Sequence, residues 1–307
     1  MKNQRIRAYL YLTLVAAIWG IAGPVIKYTL SDFTPIAFLT YRFFLSSLFF
    51  IPFILTKGIS IPKKGRSLFI LLLISLLGST INLGLLFYGY NYTTVLDATI
   101  LSAIAPVFVV VGGALFLKEN VNRQERTGIA IIFLGSLMII FEPVSDISIF
   151  TLNNIFGNFL VIAANLAWVA YVLLSKYELK KKVEPLTIAF SVFLVGFLTL
   201  LPLSIIEAGG TKSFLNNCLS APLPSHAGVL YMALLSGNLA YFLYQKGQKI
   251  IEASEATLFA YLSPFFAAPL AVFWLGESIS PAFLTGALLI ITGLVIAEYK
   301  KPQPARP

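Results

Sequence analysis

The chain has 307 residues, of which 58 % are hydrophobic and 11 % charged, and its mean hydropathy is +0.87; soluble domains have roughly 45–50 % and 25 %. So few polar residues cannot cover the apolar surface in water, which excludes a soluble globular fold and leaves an all-α polytopic membrane protein. The net charge of +9 is scattered over short segments between apolar runs, a pattern of membrane topology and not of a nucleic-acid surface. The single Cys218 excludes an internal disulfide framework, and the single His226 argues against a histidine metal site.

Ten apolar runs follow in chain order, each expected to be a transmembrane helix because lipid offers the backbone no hydrogen-bond partner. The first, 8–29, carries Trp19, Gly20, Gly23, Pro24 and Lys27. Its basic start imitates a secretory leader, but no small-residue cleavage site follows, so it is expected to stay as a span. The second, 35–56, holds Arg42, a charge about seven residues or roughly 10 Å inside the helix. The third, 67–90, carries Asn82 and Tyr88. The fourth, 95–117, starts near Asp97, contains Ser102 and Pro106, and closes on Glu119. The fifth, 124–141, carries Gly128 and Gly135. The sixth, 155–176, holds Asn165, Trp168 and Tyr171; the seventh is 186–206; the eighth, 227–249, holds Asn238 and Tyr244. The ninth, 254–276, carries Glu255, Tyr261, Ser263 and Pro264 and closes on Glu277, and the tenth is 282–299.

The fourth and ninth runs repeat one another at an offset of 158: Thr99 matches Thr257, Pro106 Pro264, and Glu119 Glu277, with Gly128/Gly286 and Gly135/Gly293 continuing into the next run. Trp19, Lys27 and Tyr28 reappear as Trp168, Lys176 and Tyr177 at 149, Pro35 meets Pro185 at 150, and Asn82 and Tyr88 meet Asn238 and Tyr244 at 156. The chain therefore reads as two copies of a five-helix unit, 8–142 and 155–299. An odd number of spans per copy turns the second upside down relative to the first.

The basic residues agree. All but Lys27, Arg42 and Lys212 of the 22 lysines and arginines fall at the N-terminus, the C-terminus or in every second loop. That side is expected to be cytoplasmic, with both termini on it. Inverted repeats of this kind are a common build of secondary transporters, with the site where the repeats meet.

The polar and aromatic residues inside the spans are the candidate site. Arg42 either reaches that site or turns outward to headgroups or Asp32. Asn82, Asn165 and Asn238 either bond across helix interfaces or line the site. Trp19, Trp168, Tyr88, Tyr171, Tyr244 and Tyr261 supply an amphipathic aromatic wall, and Ser102 and Ser263 sit by the prolines. Pro106 and Pro264 break the hydrogen-bond ladder. Glu119 and Glu277 face the unfavourable end of a helix dipole, so they either bind amides of the turn or serve a gate. Asp97 and Glu255, near helix starts, cap them or couple protons.

Taken together, "AAIWGIAGPVIKY", "PIAFLTYRF", "ATILSAIAPVFVVVGGALFLKEN", "EATLFAYLSPFFAAPLAVFWLGESI" and "GALLIITGLVIA" resemble the drug/metabolite transporter superfamily, in its EamA-like ten-helix members. The resemblance covers about residues 8–300. It implies export or exchange of small metabolites, such as amino acids, through a central cavity lined by spans 1, 3, 4, 6, 8 and 9. One departure stands out: Gly20, Gly23 and Pro24 of the first span have no Gly or Pro counterpart in the sixth.

A membrane-embedded enzyme would need a catalytic constellation, and neither H-E-x-x-H nor G-x-S-x-G occurs. A channel needs a ring of like groups, and a scaffold has no use for inverted duplication. The reading is a non-enzymatic transporter of the cell membrane. It takes a small-molecule substrate in a lipid bilayer, needs no cofactor or metal, and binds no nucleic acid.

Overall fold

A computed structural model of the chain describes residues 2–57, 62, 65–92, 101, 105–119, 121–141, 152–263, 265–266, 269 and 281–298. Among these every regular element is helical, as backbone buried in hydrocarbon requires. The α-helices are α1 (Lys2–Thr29), α2 (Pro35–Lys57), α3 (Gly65–Leu76), α4 (Asn82–Tyr92), α5 (Ala105–Phe116), α6 (Arg123–Phe141), α7 (Leu152–Lys180), α8 (Pro185–Glu207), α9 (Thr211–Leu219), α10 (Leu223–Leu230), α11 (Ala240–Ile250), α12 (Ala253–Leu258) and α13 (Pro281–Glu298). Two wider π turns join pairs of these into single rods: Leu77–Ile81 links α3 to α4, and Tyr231–Leu239 links α10 to α11. Six helical stretches are long and apolar enough to cross a bilayer: Gln4–Ala22, Pro35–Thr56, Gly65–Gly89, Phe156–Lys180, Pro185–Glu207 and Leu223–Ile250. Ala105–Phe116 and Leu284–Ala297 are shorter apolar helices.

The boundaries depart from the sequence reading where tertiary contacts replace hydropathy. The stretch 207–226 reads as a loop, yet it folds into α9, which turns Phe214 and Cys218 inward. The following rod starts at Leu223 instead of 227. The ninth apolar run does not form one helix throughout: after α12 the backbone tightens into a 3-10 turn over Phe259–Leu262.

Packing follows the sequence repeat. α2 lies against α8, α4 against α7, α1 against α11, and α6 against α13. The pairings survive exchange of each element for its counterpart in the other copy. Phe43 and Phe193, 150 positions apart like Pro35 and Pro185, put their rings 5.7 Å from each other. α6 and α13 cross on glycine: a Cβ on Gly128 would sit 2.5 Å from the Gly293 carbonyl oxygen, and one on Gly135 2.7 Å from that of Gly286. Only a bare backbone allows such an approach.

Most buried apolar residues form one core along α1, α2, α7, α8 and α11; a smaller cluster of Val110, Ile132, Leu258, Tyr261, Ile290 and Ala297 binds α5, α6, α12 and α13.

Candidate functional site

At the middle of the bundle five rings meet. Trp19 of α1 lies 5.7 Å from Trp168 of α7, edge to face, and the two are sequence counterparts in the two copies. Tyr241 and Tyr244 of α11 flank both tryptophans, with centroids 5.5–6.2 Å away. Tyr171 closes the group 5.0 Å from Trp168. Edge-to-face and tilted arrangements set the positive rim of one ring on the negative face of another. Tyr171, Tyr241 and Tyr244 are buried, whereas the two tryptophans stay partly exposed.

The π turns seat these rings. A π turn opens the helix by one residue and lifts carbonyls out of the regular ladder. The Trp19 indole donates to the Ser236 carbonyl at 3.1 Å, and the Tyr241 hydroxyl points at the Gly78 carbonyl at 3.4 Å; each carbonyl belongs to one π turn. Gly78 has no side chain because the Tyr171 ring occupies that space: a Cβ would be 2.6 Å from it. Gln245 donates to the Tyr171 hydroxyl at 2.6 Å.

Of the residues singled out in the sequence, Trp19, Trp168, Tyr171 and Tyr244 are brought together. Two asparagines at the π turns, Asn82 just past the first and Asn238 near the end of the second, act across interfaces. Asn82 donates to the Ala164 carbonyl at 2.8 Å, one turn before Trp168, and Asn238 donates to the Ser46 carbonyl at 3.0 Å. Asn165 is partly exposed on the same helix as Trp168. Ser263 backs onto Gly20, where a Cβ would meet the Ser263 carbonyl oxygen at 2.4 Å, so α1 and the ninth run touch backbone to backbone.

Other residues lie elsewhere. Tyr88 stands outside the ring cluster, near enough to Glu207 and Tyr92 to interact electrostatically. Tyr261 belongs to the smaller apolar cluster with α13. Pro106 is buried in α5. Asp97, Ser102, Pro264 and Glu277 lie outside the described residues.

Glu119 binds backbone amides of the other copy. Its carboxylate accepts from the Ala253 amide at 2.9 Å, the Ser254 amide at 3.1 Å and the Ser254 hydroxyl at 2.8 Å. An acid ending one helix therefore caps the positive start of α12 in the other copy. Lys176, which reads as a loop lysine, is buried beside it. Its ammonium donates to the Gln248 and Ile251 carbonyls, each at 2.5 Å, at the negative end of α11. Opposite charges thus cap both helix ends that meet at Ile251 and Glu252. Nearby, Arg5 of α1 forms an ion pair with Glu255, and Tyr9 reaches the same carboxylate oxygen at 3.4 Å.

Sequence reasoning missed Tyr241, Gln245 and the burial of Lys176. Tyr241 lies one turn before Tyr244, which is the helical signal that would have found it; its counterpart in the first copy is Leu85.

Two cavities, about 300 and 210 Å³, lie at the opposite end of the bundle beneath α9. The larger is apolar, with Tyr41, Phe44 and Cys218 in its wall, and burial pushes the Cys218 thiol up. The smaller is bordered by Asp32 and Glu207. These acids are held locally: Asp32 accepts from Ser225 and Ser31, and Glu207 from Thr34 at 2.7 Å.

An all-helical bundle with several bilayer-length apolar helices, and an aromatic centre where its two copies meet, defines a multi-pass membrane protein of the transporter class. Comparison with known proteins agrees. The model of the EamA-like transporter family matches the chain twice, at residues 6–141 and 155–299, and the chain belongs to that family. An uncharacterized transporter of Archaeoglobus fulgidus is 28 % identical over 300 residues, covering 97 % of this chain and 99 % of its own. The uncharacterized transporters YyaM and YetK of Bacillus subtilis are 25 % and 28 % identical over 96 % and 98 % of this chain, and 94 % and 90 % of their own lengths. One solved crystal structure shares the fold with a TM-score of 0.74 over 95 % of this chain and 96 % of its own, at 15 % identity.

Proposed function

We propose that the protein is a secondary transporter that moves a small organic solute by alternating access around the aromatic cluster. Its ten spans form two five-helix repeats, 8–142 and 155–299, of opposite orientation in the cell membrane, with both termini cytoplasmic. Export or exchange is the direction that the family resemblance favours. The observation that carries this reading is the contact of Trp19 with Trp168: counterparts in the two copies meet ring to ring at the centre of the bundle. The self-complementary crossing of Gly128 and Gly135 with Gly293 and Gly286 supports the same two-fold relation. A pseudo-two-fold axis between inverted halves lets one site face either side by exchanging the conformations of the halves. In this conformation Glu119, Lys176 and the Arg5–Glu255 pair hold the α11–α12 end together.

The test is uptake and counterflow of labelled metabolites by purified protein in sealed liposomes, with and without a proton gradient. Saturable flux is expected, and Trp168→Ala, if normally folded, is expected to abolish it. Failure of every solute in a broad set to move above empty liposomes would overturn the reading.

A further inference from the structure

Arg42 is 2 % exposed, in the second turn of a bilayer-length helix. It therefore does not turn outward to headgroups. No carboxylate among the described residues pairs with it: Asp32 is held by Ser31 and Ser225, and Glu207 by Thr34. Its Nε is enclosed without an acceptor. What it does touch is aromatic. The guanidinium carbon is 5.9 Å from the centre of the Phe43 ring, and the Tyr241 phenol of the ring cluster lies within electrostatic range. A ring face offsets only a small part of the cost of desolvating a cation. The counterpart of Arg42 in the second copy is Val192, fully buried and apolar, so the charge is not required by the repeat.

An intramembrane cation kept without a counter-ion beside the central site is best accounted for by an ion that arrives with the substrate. We propose that Arg42 is the anion-binding group of the transport site, and that the substrate carries an oxyanion, either a carboxylate or a phosphate. This rests on the transporter reading above. The planar guanidinium presents paired N–H donors matched to such a group, and in a low-dielectric interior that pairing is strong. Because only one copy carries the charge, the substrate is held in one orientation, with its anionic end toward α2 and the rest against the rings.

The experiment uses the purified full-length chain in detergent and in liposomes. Carboxylic acids, their methyl esters and amides, and phosphate monoesters are each tested for thermal stabilisation and counterflow. The acids or the phosphates are expected to act and the uncharged esters not; which of the two classes acts identifies the oxyanion. Arg42→Gln is expected to lower affinity by about 100-fold and Arg42→Lys by about 10-fold. Arg42→Met separates binding from architecture: loss of an unpaired buried charge is expected to leave the melting temperature equal or higher, whereas a structural arginine would lower it by several degrees. Transport of esters as readily as acids, undiminished affinity in Arg42→Gln, or a melting temperature well below wild type in Arg42→Met would each overturn the proposal and leave transport standing. Absence of any flux, for charged and neutral solutes alike, would overturn both.

Discussion

Gly65–Tyr92 and Leu223–Ile250 are the same device built twice: an α-helix, a π turn, an asparagine just past or at its end, and a second α-helix. Yet they contribute unequally. The second rod sends Tyr241, Tyr244, Gln245 and Gln248 into the buried interior. At the equivalent positions the first rod has Leu85, Tyr88, Gly89 and Tyr92, and Tyr92 is 43 % exposed. The backbone irregularity is common to both halves, while the aromatic chemistry has gathered on one. Duplication accounts for the shape of the centre, and divergence of a few side chains accounts for its polarity.

The comparison breaks most readily at Gly78. Its counterpart is Leu234, so a leucine is tolerated at this step in the other rod. Gly78→Leu is nevertheless expected to cost about 3 kcal/mol and to abolish transport, because the Tyr171 ring fills the space; apparent melting temperature and counterflow measure both. If Gly78→Leu is as well tolerated as the native Leu234, the ring is not seated as described.

Next in size is Glu119→Ala, expected to cost about 2–3 kcal/mol by leaving the Ala253 and Ser254 amides without their acceptor. Hydrogen exchange at Ala253–Leu258 is expected to speed up before the rest of the bundle. An equal loss of stability in Glu277→Ala would extend the comparison to the second copy.

Asn82→Ala and Asn238→Ala are each expected to cost about 1 kcal/mol, since each removes one donor to a carbonyl of another helix. Unequal losses would reveal which π turn carries more strain. Smallest, and of opposite sign, is Lys118→Gly. Lys118, just beyond α5, has φ 54°, a left-handed conformation that costs a side-chain-bearing residue about 1–2 kcal/mol. Relief of that cost is largely offset by the roughly 0.5–1 kcal/mol of extra chain entropy that glycine loses on folding. The second copy already has Gly276 at that step. A modest rise in melting temperature is expected.

The spanning helices were legible because lipid demands long apolar runs, and the pairing of Trp19 with Trp168 because glycines, prolines and acids keep their register across loop insertions. The π turns were not legible: one extra residue per turn leaves composition untouched, and only the asparagines mark the place. α9 escaped notice because nine residues that include Lys212, Asn216 and Asn217 carry little hydropathy, although Phe214 and Cys218 share one face. Tyr241 was hidden by the pairing itself, since Leu85 gives it no echo. The partner of Glu119 lies more than a hundred residues away in sequence, at a distance no local pattern spans.

The glycine crossing of α6 and α13 has a practical consequence. With backbone against backbone there is no side-chain cushion to deform, so these two helices hold one distance or separate altogether. A pair of spin labels placed on their exposed faces would then serve as an internal ruler, fixed while the protein works, against which every other separation in the molecule can be read.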